Sequence, residues 1–311
     1  MMVKIFIDGE AGTTGLQIRD RLKDIKDIEM IHLKGDQRKD ISAREEMLNI
    51  ADLVILCLPE DASKEAVGLI HNSRTKIIDA SIAYRVNPDW VYGFPEYNLG
   101  QSAIIEKAKR VSNPGCYACA SIAIIHPLVS SGLLPEDYPI TINAVSGYSG
   151  GGTSLIKSFE ATNPETASNK VPFYLYGLDL NHKHIPEIKK YSRLRNTPIF
   201  IPSVGRFYSG MLVSVPLQIA ALKDGINGKK IYEALSDHYL SQPFVKVVGE
   251  RNNQEIGKLM PEDLNNTNLM KIYVFSNQKN GQVLICAQLD NLGKGASGQA
   301  VQNLKLMLNN F

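Results

Sequence analysis

VKIFIDGEAGTTGLQIRDRL (residues 3–22) carries an apolar run, a glycine-spaced turn and an amphipathic pattern, in that order. VKIFIDG (3–9) reads as a short strand ending in glycine, and Thr13 to Leu22 read as a helix. Between them Gly9, Gly12 and Gly15 form G-x-x-G-x-x-G, a variant of the dinucleotide fingerprint G-x-G-x-x-G. Glycine lets a backbone turn tightly and approach a pyrophosphate, whose charge then rests at the helix N-terminus. Many strand–helix turns are glycine-rich for steric reasons alone. Here the strand before and the helix after favour dinucleotide binding, with Gly9, Gly12, Thr13, Thr14 and Gly15 as the cofactor-binding residues.

The pattern continues outward. IEMIHL (28–33), ADLVILCLP (51–59) and TKIIDAS (75–81) read as strands, and ASKEAVGLIHNS (62–73) suits a helix. A near-continuous apolar run such as ADLVILCLP is expected of a parallel strand covered on both faces. Strands alternating with helices predict a parallel, doubly wound sheet. The acidic ribose ligand expected about 20 residues after the glycines has no clean candidate. HLKGDQRKD (32–40) instead offers basic residues, among them Arg38, that would accept a 2′-phosphate and favour NADP; a solvated loop of mixed charge is the competing reading.

A chain of 311 residues predicts two domains, or one with a large insertion. Its 44% hydrophobic and 21% charged content are those of an ordinary globular protein. No apolar run approaches the roughly 20 residues of a membrane span. MMVKIFIDG enters a strand pattern without a charged region and cleavage site before it, which predicts no secretory signal. Net charge +2 with interspersed signs predicts no nucleic-acid partner. Four cysteines form no disulfide framework, which fits a reducing cytoplasm.

The middle of the chain changes character. TINAVSGYSGGGTS (141–154), TPIFIPSVGRF (197–207) and GMLVSVPLQIAAL (210–222) read as longer strands of an antiparallel sheet. KIYVFSNQKNGQVLICAQLDN (271–291) reads as two strands around Asn280-Gly281, a hairpin signal. GKGASGQAVQNLKLMLNNF (293–311) reads as a glycine-rich turn and an amphipathic helix presenting Ala300, Val301, Leu304, Leu306, Met307 and Leu308 to a core. The composition shifts near Asn113. The predicted architecture is therefore α/β: a Rossmann-like parallel-sheet domain from residues 1–115 plus 293–311, with an inserted α+β domain, 116–292, for catalysis and oligomerisation.

That boundary places SNPGCYACA (112–120) at a junction, and clefts between domains are common ligand sites. Cys116-x-x-Cys119 admits a redox dithiol, half of a metal site, or one nucleophile with a neighbour. Pro114 and Gly115 make a turn and CYACASIAII reads as a helix, so Cys116 stands at a helix N-terminus, which favours a thiolate. The N–H groups there would also stabilise an oxyanion. A structural zinc site needs four ligands, and no second C-x-x-C exists. Cys57 and Cys286 lie in apolar strand runs, and Cys119 reads as a small packing residue; no metal is expected. The single nucleophile is the favoured reading. A thiolate mechanism needs a proton carrier near neutral pH, and His182-Lys183-His184 supplies two imidazoles. In an extended segment they would point to opposite faces. His126 precedes Pro127 within the Cys116 helix, while His32, His71 and His238 show no polar company in the sequence.

IFIDGEAGTTGLQI, DASIAYR, WVYGFPEYN, SNPGCYA, SGYSGGG, HKHIPEI and DNLGKGASGQAVQN together resemble the N-acetyl-gamma-glutamyl-phosphate reductases, in their shorter form, essentially end to end. The resemblance implies NADPH as reductant, Cys116 as the nucleophile on the acyl phosphate, and a thioester intermediate in arginine biosynthesis. It implies His184 as the acid/base with His182 assisting or second choice. Ser81, Gly295, Ala296 and Gln299 become further cofactor candidates. Ser146, Gly147, Gly150, Asn113, Arg85 and Arg110 become candidates for substrate or phosphate, the arginines competing with a reading as surface ion pairs. A homo-oligomer is implied as well. The longer form of the family has a further histidine in the strand corresponding to FIPSVGRFYSG, which offers none here. Two alternatives stay open: an aspartate-semialdehyde-dehydrogenase-like enzyme, and a non-catalytic NAD(P)-binding sensor using a Cys116–Cys119 disulfide.

Overall fold

Strand β1 (Val3–Asp8) pairs in parallel with β2 (Ile28–Ile31) on one side and β3 (Leu53–Leu56) on the other. With β4 (Lys76–Asp79), β5 (Val91–Tyr92) and β6 (Arg110–Ser112) they form a sheet of order β2-β1-β3-β4-β6-β5, parallel throughout. The computed structural model describes residues 2–23, 25–161, 171–249 and 256–309. Its contacts divide into two units, Met1–Gly115 with Ala296–Phe311, and Cys116–Gly295.

Side-chain alternation explains the layers of the first unit. Ile5, Ile7, Leu53, Ile55 and Ile78 point to one face, where α1 (Thr13–Leu22), α4 (Gln101–Lys107) and the C-terminal α9 (Gly298–Leu308) cover them. Phe6, Val54, Leu56 and Ile77 point to the other, against α2 (Ile41–Ile50) and α3 (Glu60–Gly68). Ala300, Val301, Leu304 and Met307 of α9 are buried, with Leu306 and Leu308 at the margin. The predicted helix over 62–73 ends at Gly68, Asn49 Nδ2 donates to the Leu69 carbonyl, and Asn72 Oδ1 accepts from the N–H groups of Arg74 and Thr75, closing a side-chain turn.

The second unit holds β7 (Thr141–Gly147), β8 (Phe173–Leu175), β9 (Ile199–Gly205), β10 (Met211–Gln218), β11 (Val245–Val247), β12 (Met270–Asn277) and β13 (Gln282–Leu289) in the order β11-β12-β13-β10-β7-β9-β8. The sheet is mixed where the sequence suggested an antiparallel one. β7 and β9 run parallel, as do β11 and β12. The β7–β9 connection contains α6 (Gly152–Glu160) and α7 (Ile185–Tyr191), which is the long crossover a parallel pair requires. Residues 141–154 are correspondingly a strand only to Gly147, then a 3₁₀ turn and the start of α6. The β12–β13 hairpin forms as expected, with Gly281 at φ +62°. α5 (Cys116–Ser130), almost wholly buried, lies against β10 and β13 between α7 and α8 (Gly228–Tyr239).

The chain passes back to the first unit at Gly295–Ala296. The N–H groups of Gly293 and Gly295 both donate to the Asp290 carbonyl, which keeps this turn with the strand before it.

One buried cluster anchors the carboxyl end of the parallel sheet. Arg44 of α2 donates to Asp8 Oδ2 from Nε (3.2 Å) and Nη2 (3.0 Å), and from Nη1 to Glu65 of α3 at 2.9 Å. Burial still raises the Asp8 carboxyl above its ordinary range, against the pull of Arg44. Removing the guanidinium strands that charge. Arg44→Leu is expected to lose about 3–5 kcal/mol at pH 7, read from urea unfolding. Because the folded Asp8 pKa is raised, its ionisation opposes folding as pH rises. The deficit of the variant should therefore shrink as pH falls through the acid range.

Candidate active site

Gly9 has φ +86°, and a Cβ there would lie 2.4 Å from the carbonyl oxygen of Cys57. A Cβ on Gly15 would lie 2.5 Å from Gly9 O. Neither position admits a side chain. Gly12 caps α1 without a side-chain hydrogen bond, and no acidic residue occupies the first turn. Thr13, Thr14 and Gly15 therefore open a helix whose positive end has no acidic first-turn residue against it, the arrangement that suits an anion. The strand order reverses beside β1, so this loop sits at the topological switch point. Gln299 of α9 adds a second sign of a ligand: it is 1% exposed, yet its Oε1 has no hydrogen-bond partner. Its Nε2 makes only long contacts, 3.4 Å to Gln302 and 3.5 Å to Asn303. The residues present fit a dinucleotide.

Other candidates in this unit make hydrogen bonds within the chain. Ser81 Oγ donates to Asp79 Oδ2 at 2.8 Å and accepts from the Ala83 N–H, holding the turn after β4. Asp79 also accepts from Ser63, and burial raises its carboxyl. Arg85 is buried, donating to the carbonyls of Asn113 and Ala80 at 3.1 Å each, so it is no surface ion pair. Asn113, expected at the substrate, spends its amide internally. Nδ2 donates to Ala296 O (3.1 Å) and Oδ1 accepts from Asn303 (3.0 Å), because a buried amide must be satisfied. Arg110 stands apart from these groups. It is exposed at the amino end of β6, its guanidinium 6.0 Å from the Trp90 ring centroid. Arg38 is exposed on the 3₁₀ turn Gly35–Lys39.

In the second unit α5 starts at Cys116 itself. Its first N–H groups have no intrahelical acceptor, as at any helix start. A Cβ on Gly295 would lie 2.8 Å from Cys116 Cβ, so glycine is required beside the cysteine. Cys119, one turn on, is fully buried, and neither cysteine is in a disulfide.

Tyr117, buried and next to Cys116 in the chain, packs its ring near the histidines. Its hydroxyl donates to Ser203 O at 3.0 Å and is hydrogen-bonded to Tyr176 and Ser146. Burial drives the phenols of Tyr117 and Tyr176 well above their ordinary pKa, and the charge of Cys116 contributes at both. The Tyr117 ring centroid lies 6.0 Å from those of His182 and His184. The two imidazoles pack edge to face at 4.8 Å and do not point to opposite faces. The segment is a turn: His184 takes a helical φ/ψ as the N-cap of α7. The His184 N–H donates to His182 Nδ1 at 3.1 Å. Gly147 lies close to Tyr208, whose carbonyl a Cβ would meet at 2.5 Å, and a Cβ on Gly150 would lie 3.1 Å from Ser146 Oγ.

A family model described as the NAD-binding domain of semialdehyde dehydrogenases matches residues 4–105, and the dimerisation domain of the same group matches 116–291. An N-acetyl-gamma-glutamyl-phosphate reductase of Chelativorans sp. (strain BNC1) is 50% identical over 310 residues, covering 99% of each chain. One from Mesorhizobium japonicum matches equally, and one from Trichormus variabilis is 48% identical, covering 98% of this chain and 96% of its own. The chain belongs to the N-acetyl-gamma-glutamyl-phosphate reductase family. Aspartate semialdehyde dehydrogenase II of Vibrio cholerae, complexed with ASA, shares the fold (TM-score 0.71, 14% identity, 100% of this chain and 99% of that one). The NADP-bound aspartate semialdehyde dehydrogenase of Candida albicans also does (TM-score 0.65, 11% identity, 99% of each).

In this member of the reductase family, Tyr117 and Tyr176 were missed from sequence. Tyr117 had a signal, its adjacency to Cys116; Tyr176, far away in the chain, had none. The reading of His32 and His71 also needs correction. His32 Nδ1 meets Glu10 at 2.8 Å and His71 Nε2 meets Glu45 at 2.7 Å, partners that are distant in sequence. His126 and His238 meet at 6.1 Å between ring centroids, and burial lowers His126 to about 4.

The four thiols should separate by chemistry. Burial pushes Cys57 and Cys286 up to about 12, and Cys119 is inaccessible. Limited iodoacetamide at pH 8, followed by peptide mass spectrometry, should label Cys116 first and the other three only on unfolding. Prior labelling of Cys119 would contradict this.

Proposed function

We propose that this chain catalyses NADP-dependent reductive dephosphorylation of N-acetyl-L-glutamyl 5-phosphate to N-acetyl-L-glutamate 5-semialdehyde, in the arginine biosynthesis of the cytoplasm. The observation that carries the reading is Cys116 at the first position of α5, with Gly295 against it and Tyr117, next in the chain, packing its ring near both imidazoles. Cys116 Sγ attacks the acyl carbon, and the C–O bond to phosphate breaks with its electron pair leaving on phosphate. A thioester results. The first-turn N–H groups of α5 stabilise the oxyanion of each tetrahedral species. NADPH, when bound, supplies the hydride that reduces the thioester carbonyl. Reformation of the carbonyl then breaks the C–S bond, and the electron pair returns to Cys116 as thiolate.

His184 is the acid/base in this reading, taking the thiol proton and giving it up again as charge develops on oxygen. The backbone supports that choice. His182 Nδ1 accepts from the His184 N–H, so neutral His182 carries its proton on Nε2 and has no lone pair there to act as base. Ser146, reaching Tyr117, is the retained candidate for substrate contact. Gly9, Gly12, Thr13, Thr14, Gly15, Arg38, Ala296 and Gln299 hold the cofactor, with Ser81, Arg85 and Asn113 fixing the loops around it. The buried position of Cys119 supports one nucleophile over a disulfide sensor.

With phosphate, NADP and N-acetyl-glutamate semialdehyde, Cys116→Ser should lose about 10³-fold or more in kcat, whereas Cys119→Ser should stay close to wild type. His184→Asn should lose about 10²–10⁴-fold, and His182→Asn clearly less. Equal losses at both cysteines would overturn the single-nucleophile reading. Activity with aspartate semialdehyde instead would overturn the substrate.

The chain assembles as a homo-oligomer through the sheet face opposite α5. Val145, Leu175, Ile201, Leu212, Phe275 and Leu284 line a shallow apolar groove there, with Leu175 and Leu284 48% and 39% exposed. Leu284→Asp should shift the oligomer toward monomer in light scattering, with the circular dichroism spectrum retained.

A further inference from the structure

The group that reads the adenosine ribose in a dinucleotide fold stands at the carboxyl end of the second strand and is commonly acidic. Here β2 ends at Ile31, and His32 follows. The carboxylate comes instead from the glycine loop. Glu10, next after Gly9 and β1, places Oε2 2.8 Å from His32 Nδ1. The Glu10 side chain is only 12% exposed and that of His32 41%, so the imidazole lies over the carboxylate on the solvent side. Just beyond, Arg38 donates from Nε to Leu33 O at 3.2 Å, which holds the base of its guanidinium at the end of β2. An acid and its cover therefore stand where β1 and β2 end side by side, and a cation is held at the Leu33 carbonyl just after them.

We propose that Glu10 and His32 form a cofactor-selecting pair: His32 holds the Glu10 carboxylate away from the ribose 2′ position, so that a 2′-phosphate is accepted beside Arg38. A carboxylate only accepts hydrogen bonds. Left bare, Glu10 would bind a 2′-hydroxyl and repel a 2′-phosphate. Hydrogen-bonded to the imidazole, it is occupied and its field is reduced at the point where the phosphate arrives. Arg38 then supplies a planar, permanently charged donor suited to phosphate. The inference rests on the reading that the glycine loop holds a dinucleotide.

The test is calorimetric binding of 2′,5′-ADP and 5′-AMP to the full chain, without turnover. Wild type should prefer 2′,5′-ADP. His32→Ala should cut that preference by about tenfold, since one like-charge contact is uncovered. Adding Glu10→Gln to His32→Ala should restore it to within about threefold, because the uncovered charge is gone. Arg38→Ala should weaken 2′,5′-ADP and leave 5′-AMP unchanged. An unaltered preference in His32→Ala, or a loss that Glu10→Gln does not rescue, overturns the pair while leaving the dinucleotide site intact. A folded wild-type chain that binds neither nucleotide overturns the site and the pair together.

Discussion

No methyl group fits between Gly295 and Cys116, and much of the architecture follows from that contact. The chain leaves the nucleotide-binding unit at Gly115 and returns at Ala296, with a whole sheet and its helices in between. On the side of the inserted unit, the two crossings touch at Gly295 and Cys116. On the other side, Asn113 reaches Ala296, 183 residues later, through its amide, and Asn303 of α9 closes on Asn113 in turn. Each unit thus clamps the same two chain segments independently. The clamp places a cysteine, rather than a flexible linker residue, at the first position of a buried helix. Tight packing on one side leaves the thiol fewer conformations to lose when it reacts.

A second constraint is electrostatic. The carboxyl end of the parallel sheet carries Asp8 and Asp79, both buried, flanking a Cys57 thiol that burial and their charges push up. Unpaired, such carboxylates would cost several kcal/mol each. Arg44 holds one, and the hydroxyls of Ser63 and Ser81 hold the other. These contacts tie α2, α3 and the turn after β4 to the strand ends. The glycine loop stands on that platform, and its fixed position follows from it.

The aromatic cluster of the inserted unit works by a related principle. Tyr117, Tyr176 and Phe200 surround His182, and a backbone N–H settles where the His182 proton resides. Two neighbouring imidazoles thereby become chemically distinct. Periodicity and composition say nothing about such a distinction, because it depends on which ring nitrogen meets which N–H.

What the sequence determined by itself was whatever is local or periodic. The strand, glycine turn and helix of residues 3–22, the fully apolar β3, the Asn280-Gly281 hairpin and the helix opening at Cys116 are written in short windows, because backbone conformation and face alternation act over a few residues. The motif set around Cys116 and HKHIPEI likewise carried the family. Tertiary structure decided everything that joins distant residues. The parallel pairing of β7 with β9, the internal hydrogen bonds of Arg85 and Asn113, the contact of Tyr117 with Tyr176, and the meeting of Glu10 with His32 all depend on contacts across many intervening residues. No spacing rule encodes them, since a buried polar group takes whichever partner the completed fold brings within hydrogen-bonding distance.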